Sequence, residues 1–208
     1  MRVAAVPSPV GAAPARCFFS RRASCTLLRS KPSTTTALLT SPASRSGQAA
    51  QAMYADRAVL RARANAAVDL LKAQAAEARF PVDRIGAIGF CFGGATVLEL
   101  ARSGADLAGV VSFHGNLSTS IPAKAGDVKA SLLVLNGADD SYVPAEQIGT
   151  FQKEMTDAKA DWQFVNYSGA VHCFAEADAN SPGCLYEPRA AKRAYAAMES
   201  FFDEKFGD

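Results

Sequence analysis

The first 55 residues contain no aspartate and no glutamate, yet they carry seven basic side chains: Arg2, Arg16, Arg21, Arg22, Arg29, Lys31 and Arg45. The formal charge of +2 therefore belongs to this leader, and the rest of the chain is net acidic by about five charges. The basic balance is thus no evidence for nucleic-acid binding by the folded part, and no nucleic-acid partner is expected. No stretch approaches the ~18 apolar residues of a membrane span, so no membrane partner is expected either. The five cysteines (Cys17, Cys25, Cys91, Cys173 and Cys184) are odd in number and irregularly spaced. They fit neither a disulfide framework nor the paired spacing of a zinc site; free thiols in a reducing compartment, and no metal, are the expectation. A glycine-rich phosphate loop is also missing, because in "GFCFGG" a thiol occupies the place such a loop keeps clear. No cofactor is implied.

What is present is the composition of a globular protein, 49% apolar and 20% charged, in 208 residues, enough for one domain with a substantial core. Residues 1–52 form a low-complexity basic extension rich in Ser, Thr, Ala, Pro and Arg. That is the composition of a transit peptide to mitochondrion or chloroplast, or of a disordered extension on a cytoplasmic protein. Arg16, Arg21 and Arg22 interrupt any secretory apolar core.

Order is expected from residue 53 to 208. "DRAVLRARANAAVDLLKAQAAEAR" places Leu60, Ala64, Ala67, Leu71, Ala75 and Ala78 at helical spacing. The strand-length apolar run "IGAIGF" follows, then the helix "ATVLELARSG". "AGVVSFHG" and "ASLLVLNG" read as two more buried strands, joined through an irregular connection at 115–130 that borders a pocket. A helix with Ile148, Phe151, Met155 and Ala158 on one face leads to a fourth strand, "DWQFVNYSG". A last helix carries Ala191, Tyr195, Met198 and Phe202 in register. Alternating helices and continuously apolar strands predict an α/β fold, a doubly wound parallel sheet of about four strands with helices on its faces.

In such sheets, ligands bind at the carboxyl ends of the strands. Cys91 follows the first strand, His114 the second, Asp139 and Asp140 the third, and His172 the fourth. "GFCFGG" fits the G-x-nucleophile-x-G elbow, in which Gly89 and Gly93 leave room for strand and helix to close on one another. At a helix N-terminus Cys91 meets the positive end of the dipole, which favours a thiolate, and the N–H of Phe92 points toward a developing oxyanion. The order Cys91, Asp140, His172 is the nucleophile–acid–histidine order of the α/β-hydrolase fold. His114 is a pocket or structural residue, Tyr142 and Glu176 are candidate pocket residues, and Asp139 is a turn residue. Cys173 reads as packing under the loop, with Cys17, Cys25 and Cys184 incidental.

The segments "IGFCFGG", "VVSFHGNL", "LLVLNGADDSYVP", "YSGAVHCF" and "YAAMESFFDEKF" resemble the dienelactone hydrolase (carboxymethylenebutenolidase) family over about residues 53–206. The resemblance implies an α/β-hydrolase fold and a Cys91–Asp140–His172 triad that opens small esters or lactones through a thioacyl-enzyme. It selects Asp140, three residues before "VP", over Asp139. Two departures accompany it. Where members that open dienelactone carry an arginine for the substrate carboxylate, this chain has Glu176, which repels one. The family's first strands, source of a second oxyanion donor and of a glutamate on the resting cysteine, have no counterpart in residues 1–52. Their lack leaves strand 85–90 as an exposed edge open to self-association, and suggests an alternative: a truncated, catalytically impaired remnant acting as a binding or interaction protein. Class I glutamine amidotransferases share the G-x-C-x-G elbow, but Ala95 and Phe174 stand where they need Gln and Glu.

Overall fold

The computed structural model describes residues 2–6, 42–79 and 84–207. Cys17, Cys25 and most of the expected leader lie outside the described residues. Strand β1 (Arg2–Val6) is followed by helices α1 (Pro42–Ala55) and α2 (Arg57–Glu77). Strand β2 (Arg84–Phe90), helix α3 (Phe92–Arg102) and strand β3 (Gly109–Phe113) come next. Strand β4 (Ser131–Gly137), helix α4 (Ala145–Asp157) and strand β5 (Trp162–Tyr167) complete the main sheet. A two-stranded hairpin, β6 (Asn180–Ser181) and β7 (Cys184–Leu185), precedes helix α5 (Pro188–Phe206).

The sheet order is β1-β2-β3-β4-β5, with β2 through β5 parallel, as the uninterrupted apolar strands predict. Successive residues of β4 supply opposite faces. Leu132 and Val134 pack with α2, α3 and α4, while Leu133 and Leu135 pack with α5. Residues 114–130 connect β3 to β4 without a helix. As expected, they border a surface cleft, formed by Leu117, Ser118, Thr119 and Pro122 against Gln147 and Phe151 of α4.

Three expectations need correction. Strand β2 is not an exposed edge, because Arg2–Val6 pairs with it antiparallel, Arg2 opposite Ile88 and Val6 opposite Arg84. A short, partly β-branched run suffices, since the ladder needs only backbone donors and acceptors. Helix α1 crosses the expected boundary at residue 53. The buried face of α2 runs through Leu60, Ala64 and Val68, leaving Ala67 and Ala78 exposed, and on α5 Ala194 rather than Tyr195 is buried. On α2 the expected stripe holds at Leu60, Ala64 and Leu71 and shifts to Val68 in place of Ala67. On α5 the buried face lies about one residue before the expected one, because small alanines on neighbouring positions leave the periodic face ambiguous.

A buried ion network joins the helices on one face. Glu99 of α3, fully buried, accepts from Arg61 of α2 at 2.8 Å and from Arg102 at 3.1 Å. Arg102 also reaches Glu154 of α4 at 2.8 Å and donates to the Leu117 carbonyl at 2.7 Å. Glu154 in turn accepts from the Ala123 N–H at 2.8 Å. These charges are compensated on every side, as burial requires, and they anchor the irregular connection over the sheet.

Candidate active site

Cys91 stands between the last residue of β2 and the first of α3, with φ 49° and ψ −117°. That left-handed backbone costs a non-glycine residue about 1–3 kcal/mol, offset by the packing that requires it. A Cβ on Gly89 would lie 2.0 Å from the Gly93 carbonyl oxygen. One on Gly94 would lie 2.7 Å from Ser112 Oγ and 2.9 Å from the Gly115 Cα. Glycines therefore let α3 rest directly on the ends of β2 and β3. Phe92 opens α3, so its N–H belongs to the first turn, which has no intrahelical acceptor.

Parallel pairing sets Phe90 opposite Phe113, which brings Cys91 beside His114. The Cys91 N–H donates to the Phe113 carbonyl at 3.1 Å and approaches His114 Nδ1 at 3.3 Å. An Nδ1 that accepts must be unprotonated, which assigns the proton of neutral His114 to Nε2. That Nε2 is buried with no hydrogen-bond partner; Glu176 Oε1 lies 3.8 Å away. Burial, and then the neighbouring His172, push the His114 imidazole down to about 3.

The turn after β4 and the loop after β5 bring Asp140 and His172 together. Asp140 is 4% exposed; Oδ1 accepts from the Tyr142 N–H at 2.9 Å, and Oδ2 lies 2.7 Å from His172 Nδ1. Asp139 is exposed and its N–H bonds the Ala170 carbonyl. Tyr142, 60% exposed, sets its ring edge-on to His172 at 5.0 Å, at the rim of the site. A ring nitrogen of His172 and the sulfurs of Cys91 and Cys173 lie within 4.8 Å of one another.

The thiol itself faces elsewhere. Cys91 Sγ donates to Glu176 Oε1 at 3.1 Å, lies 3.3 Å from His114 Nδ1, and touches Cys173 Sγ at 3.8 Å. Burial, then the Glu176 hydrogen bond and charge, then the charge of Asp140 push the thiol far above its ordinary value. This reverses the expectation from the helix dipole, since desolvation and two carboxylates outweigh a partial positive charge at one helix end. Glu176, expected as a pocket residue, is also the carboxylate on the thiol.

Cys173 and Cys184 form a disulfide, contrary to the expectation of free thiols; among the described residues Cys91 is the free cysteine. The "SPG" turn, with Gly183 at φ 77°, folds the hairpin back so that Cys184 meets the loop of His172. That turn was the one local signal for the pairing. The helix reading that begins at "DRAVL" also missed Tyr54 of α1, whose ring packs edge-on against Phe92 at 5.3 Å beneath the Arg57 guanidinium. Among the described residues, two donor groups are close enough to share a cation: Cys91–His114–Glu176 and Cys91–His172–Cys173, the latter with Cys173 committed to its disulfide.

A covered parallel sheet whose strained strand-to-helix turn presents a thiol at the carboxyl edge, beside a carboxylate-held imidazole, is α/β-hydrolase architecture. Solved structures agree. The one named m3DLH is 40% identical, with TM-score 0.71, over 80% of this chain and 69% of that one. A dienelactone hydrolase-like promiscuous phosphotriesterase from metagenomic libraries is 43% identical, with TM-score 0.69, over 78% of this chain and 68% of that one. A carboxymethylenebutenolidase homolog of Mus musculus is 27% identical over 44% of this chain, and the match spans 37% of the mouse protein's length. A sequence profile described as "Dienelactone hydrolase family" matches residues 35–206, and the chain belongs to that family. The family is one of ester and lactone hydrolases.

Proposed function

We propose that this chain hydrolyses small uncharged esters or lactones through a thioacyl-enzyme on Cys91. The observation that carries the reading is the 2.7 Å contact of His172 Nδ1 with buried Asp140, beside the Cys91 sulfur. With Nδ1–H given to Asp140, His172 keeps Nε2 free to receive the thiol proton. Asp140 fixes that tautomer and steadies the imidazolium that forms. The thiolate adds to the substrate carbonyl while the Phe92 N–H donates to the developing oxyanion. His172 then protonates the leaving alkoxide, and later takes a proton from the water that attacks the thioester. Because the resting thiol donates to Glu176, its S–H must first turn toward His172.

Glu176 also supports the substrate class. A carboxylate on the substrate would be held against this carboxylate, which already lies 3.1 Å from the nucleophile. Uncharged phosphotriesters meet the same requirement and form a second candidate class, supported by the 43% identity to a phosphotriesterase. The test is turnover of p-nitrophenyl acetate, an uncharged lactone and a carboxylate-bearing lactone by the purified chain. The first two are hydrolysed, the third poorly, and Cys91→Ala removes the activity. Equal rates from wild type and Cys91→Ala would replace this reading with that of an impaired, binding protein.

The acid-free basic leader supports an organellar address, testable by the location of a fluorescent protein fused after residue 52. Removal of the leader would take β1 away and return β2 to an edge. A chain beginning at residue 42 is then expected to self-associate with concentration on sizing, and a monomer at all concentrations would refute this.

A further inference from the structure

We propose that Cys91, Cys173 and Cys184 form a thiol–disulfide exchange relay in which Cys173 is a reversible internal modifying group for the thiol at the elbow. The placement is direct. Cys91 Sγ lies 3.8 Å from Cys173 Sγ, the inner sulfur of the Cys173–Cys184 disulfide. Glu176 Oε1, 3.1 Å from the attacking sulfur, already accepts its hydrogen bond. Cys184, the sulfur that would leave, belongs to the short β6–β7 hairpin and is half-buried there.

In the exchange, hydroxide takes the Cys91 proton, giving water, and the thiolate attacks Cys173 Sγ. An S–S bond forms between Cys91 and Cys173 as the Cys173–Cys184 bond breaks, and its electron pair leaves on Cys184. Cys184 takes a proton from water, which regenerates the hydroxide. One thiol and one disulfide exist before and after, so no external oxidant or reductant is consumed.

The loop survives the swap because backbone bonds hold it independently of the disulfide. The Leu185 N–H donates to the His172 carbonyl at 3.1 Å, Tyr186 N–H to Ala179 at 3.0 Å, and Glu187 N–H to Phe174 at 3.1 Å. The exchanged form has no free thiol at the elbow and is silent in any reaction that needs one. Return attack by Cys184, or attack by a small thiol, restores it. Because burial and Glu176 keep the thiol protonated, the rate of exchange rises about tenfold per pH unit through the alkaline range.

The test is non-reducing peptide mapping of the full chain. Protein held at acid pH without reductant is brought to pH 8 or pH 9, quenched with acid, and labelled with N-ethylmaleimide. The expected result is a Cys91–Cys173 peptide with labelled Cys184, appearing about tenfold faster at the higher pH. In Cys184→Ser, oxidised glutathione is expected to close a Cys91–Cys173 bond that reductant reopens. Wild-type maps with only Cys173–Cys184 and labelled Cys91 at both pH values overturn the relay, whatever the variant does. Mapping needs no substrate, so this result is independent of whether Cys91 hydrolyses esters.

Discussion

His172 and His114 stand 5.1 Å apart, edge to face, at the same end of the same sheet, yet their surroundings prepare them for different work. The loop after β5 offers His172 a buried carboxylate at 2.7 Å and leaves its ring 17% exposed. The turn after β3 buries His114 completely, gives its Nδ1 the Cys91 backbone, and leaves Nε2 without an acceptor. An imidazole becomes a base when its protonated form is stabilised, and a structural element when it is not. The partner, rather than the residue type or the distance to the thiol, separates the two.

The sharpest way to break this contrast is to exchange the two residues' fates. His172→Ala is expected to lower kcat by at least ~10³-fold while the chain stays folded, whereas His114→Gln lowers it less than about tenfold. Comparable losses from both would erase the distinction. Asp140→Asn should follow with a loss of roughly 10²–10⁴-fold, since it removes the acceptor that fixes the His172 tautomer. Steady-state kinetics with the thermal transition recorded on the same samples would check both.

The third prediction concerns stability. The folded-state value of His114 lies below its ordinary 6.5, at about 3. As pH falls through 6.5 the unfolded chain therefore binds its proton first. Stability from this group is full above about 6.5 and drains toward pH 3, approaching ~1.4 kcal/mol per pH unit. Urea unfolding between pH 7 and pH 4 should show this slope in wild type and its loss in His114→Gln. Equal slopes would mean that His114 is not held neutral.

The smallest effect sharpens the view of the thiol. In Glu176→Gln the carboxylate that raises the Cys91 thiol is gone, so iodoacetamide should alkylate Cys91 about tenfold faster at pH 8. An unchanged rate would mean that the Glu176 carboxylate does not raise the thiol.

Much of this site was legible in the sequence because its geometry is local. The strand, the glycines and the helix around Cys91 are contiguous, and the positions of Asp140 and His172 follow from where neighbouring parallel strands end. The resemblance selected Asp140 over Asp139, and the bond to His172 falls on Asp140. Glu176 was legible as a repelling charge but not as a partner of the thiol, because its reach depends on how the loop after β5 curls. The Cys173–Cys184 bond was hidden for the same reason, being set by a hairpin of two-residue strands. Likewise the pairing of β1 with β2 joins segments far apart in the chain, with no pattern in either that names the other. The Glu99–Arg102–Glu154 network could not be read at all, since charges at helical spacing look the same on a solvated face as on a buried one.

The claim on which the rest depends is that Cys91 attacks with His172 as its base. Intact-mass spectrometry of acid-quenched protein during turnover of a slowly deacylating nitrophenyl ester reads it directly. The account predicts one added acyl group, mapped to Cys91, that forms in wild type and fails to accumulate in His172→Ala. Turnover with no acyl group on Cys91, or acylation that proceeds equally well without His172, would contradict it.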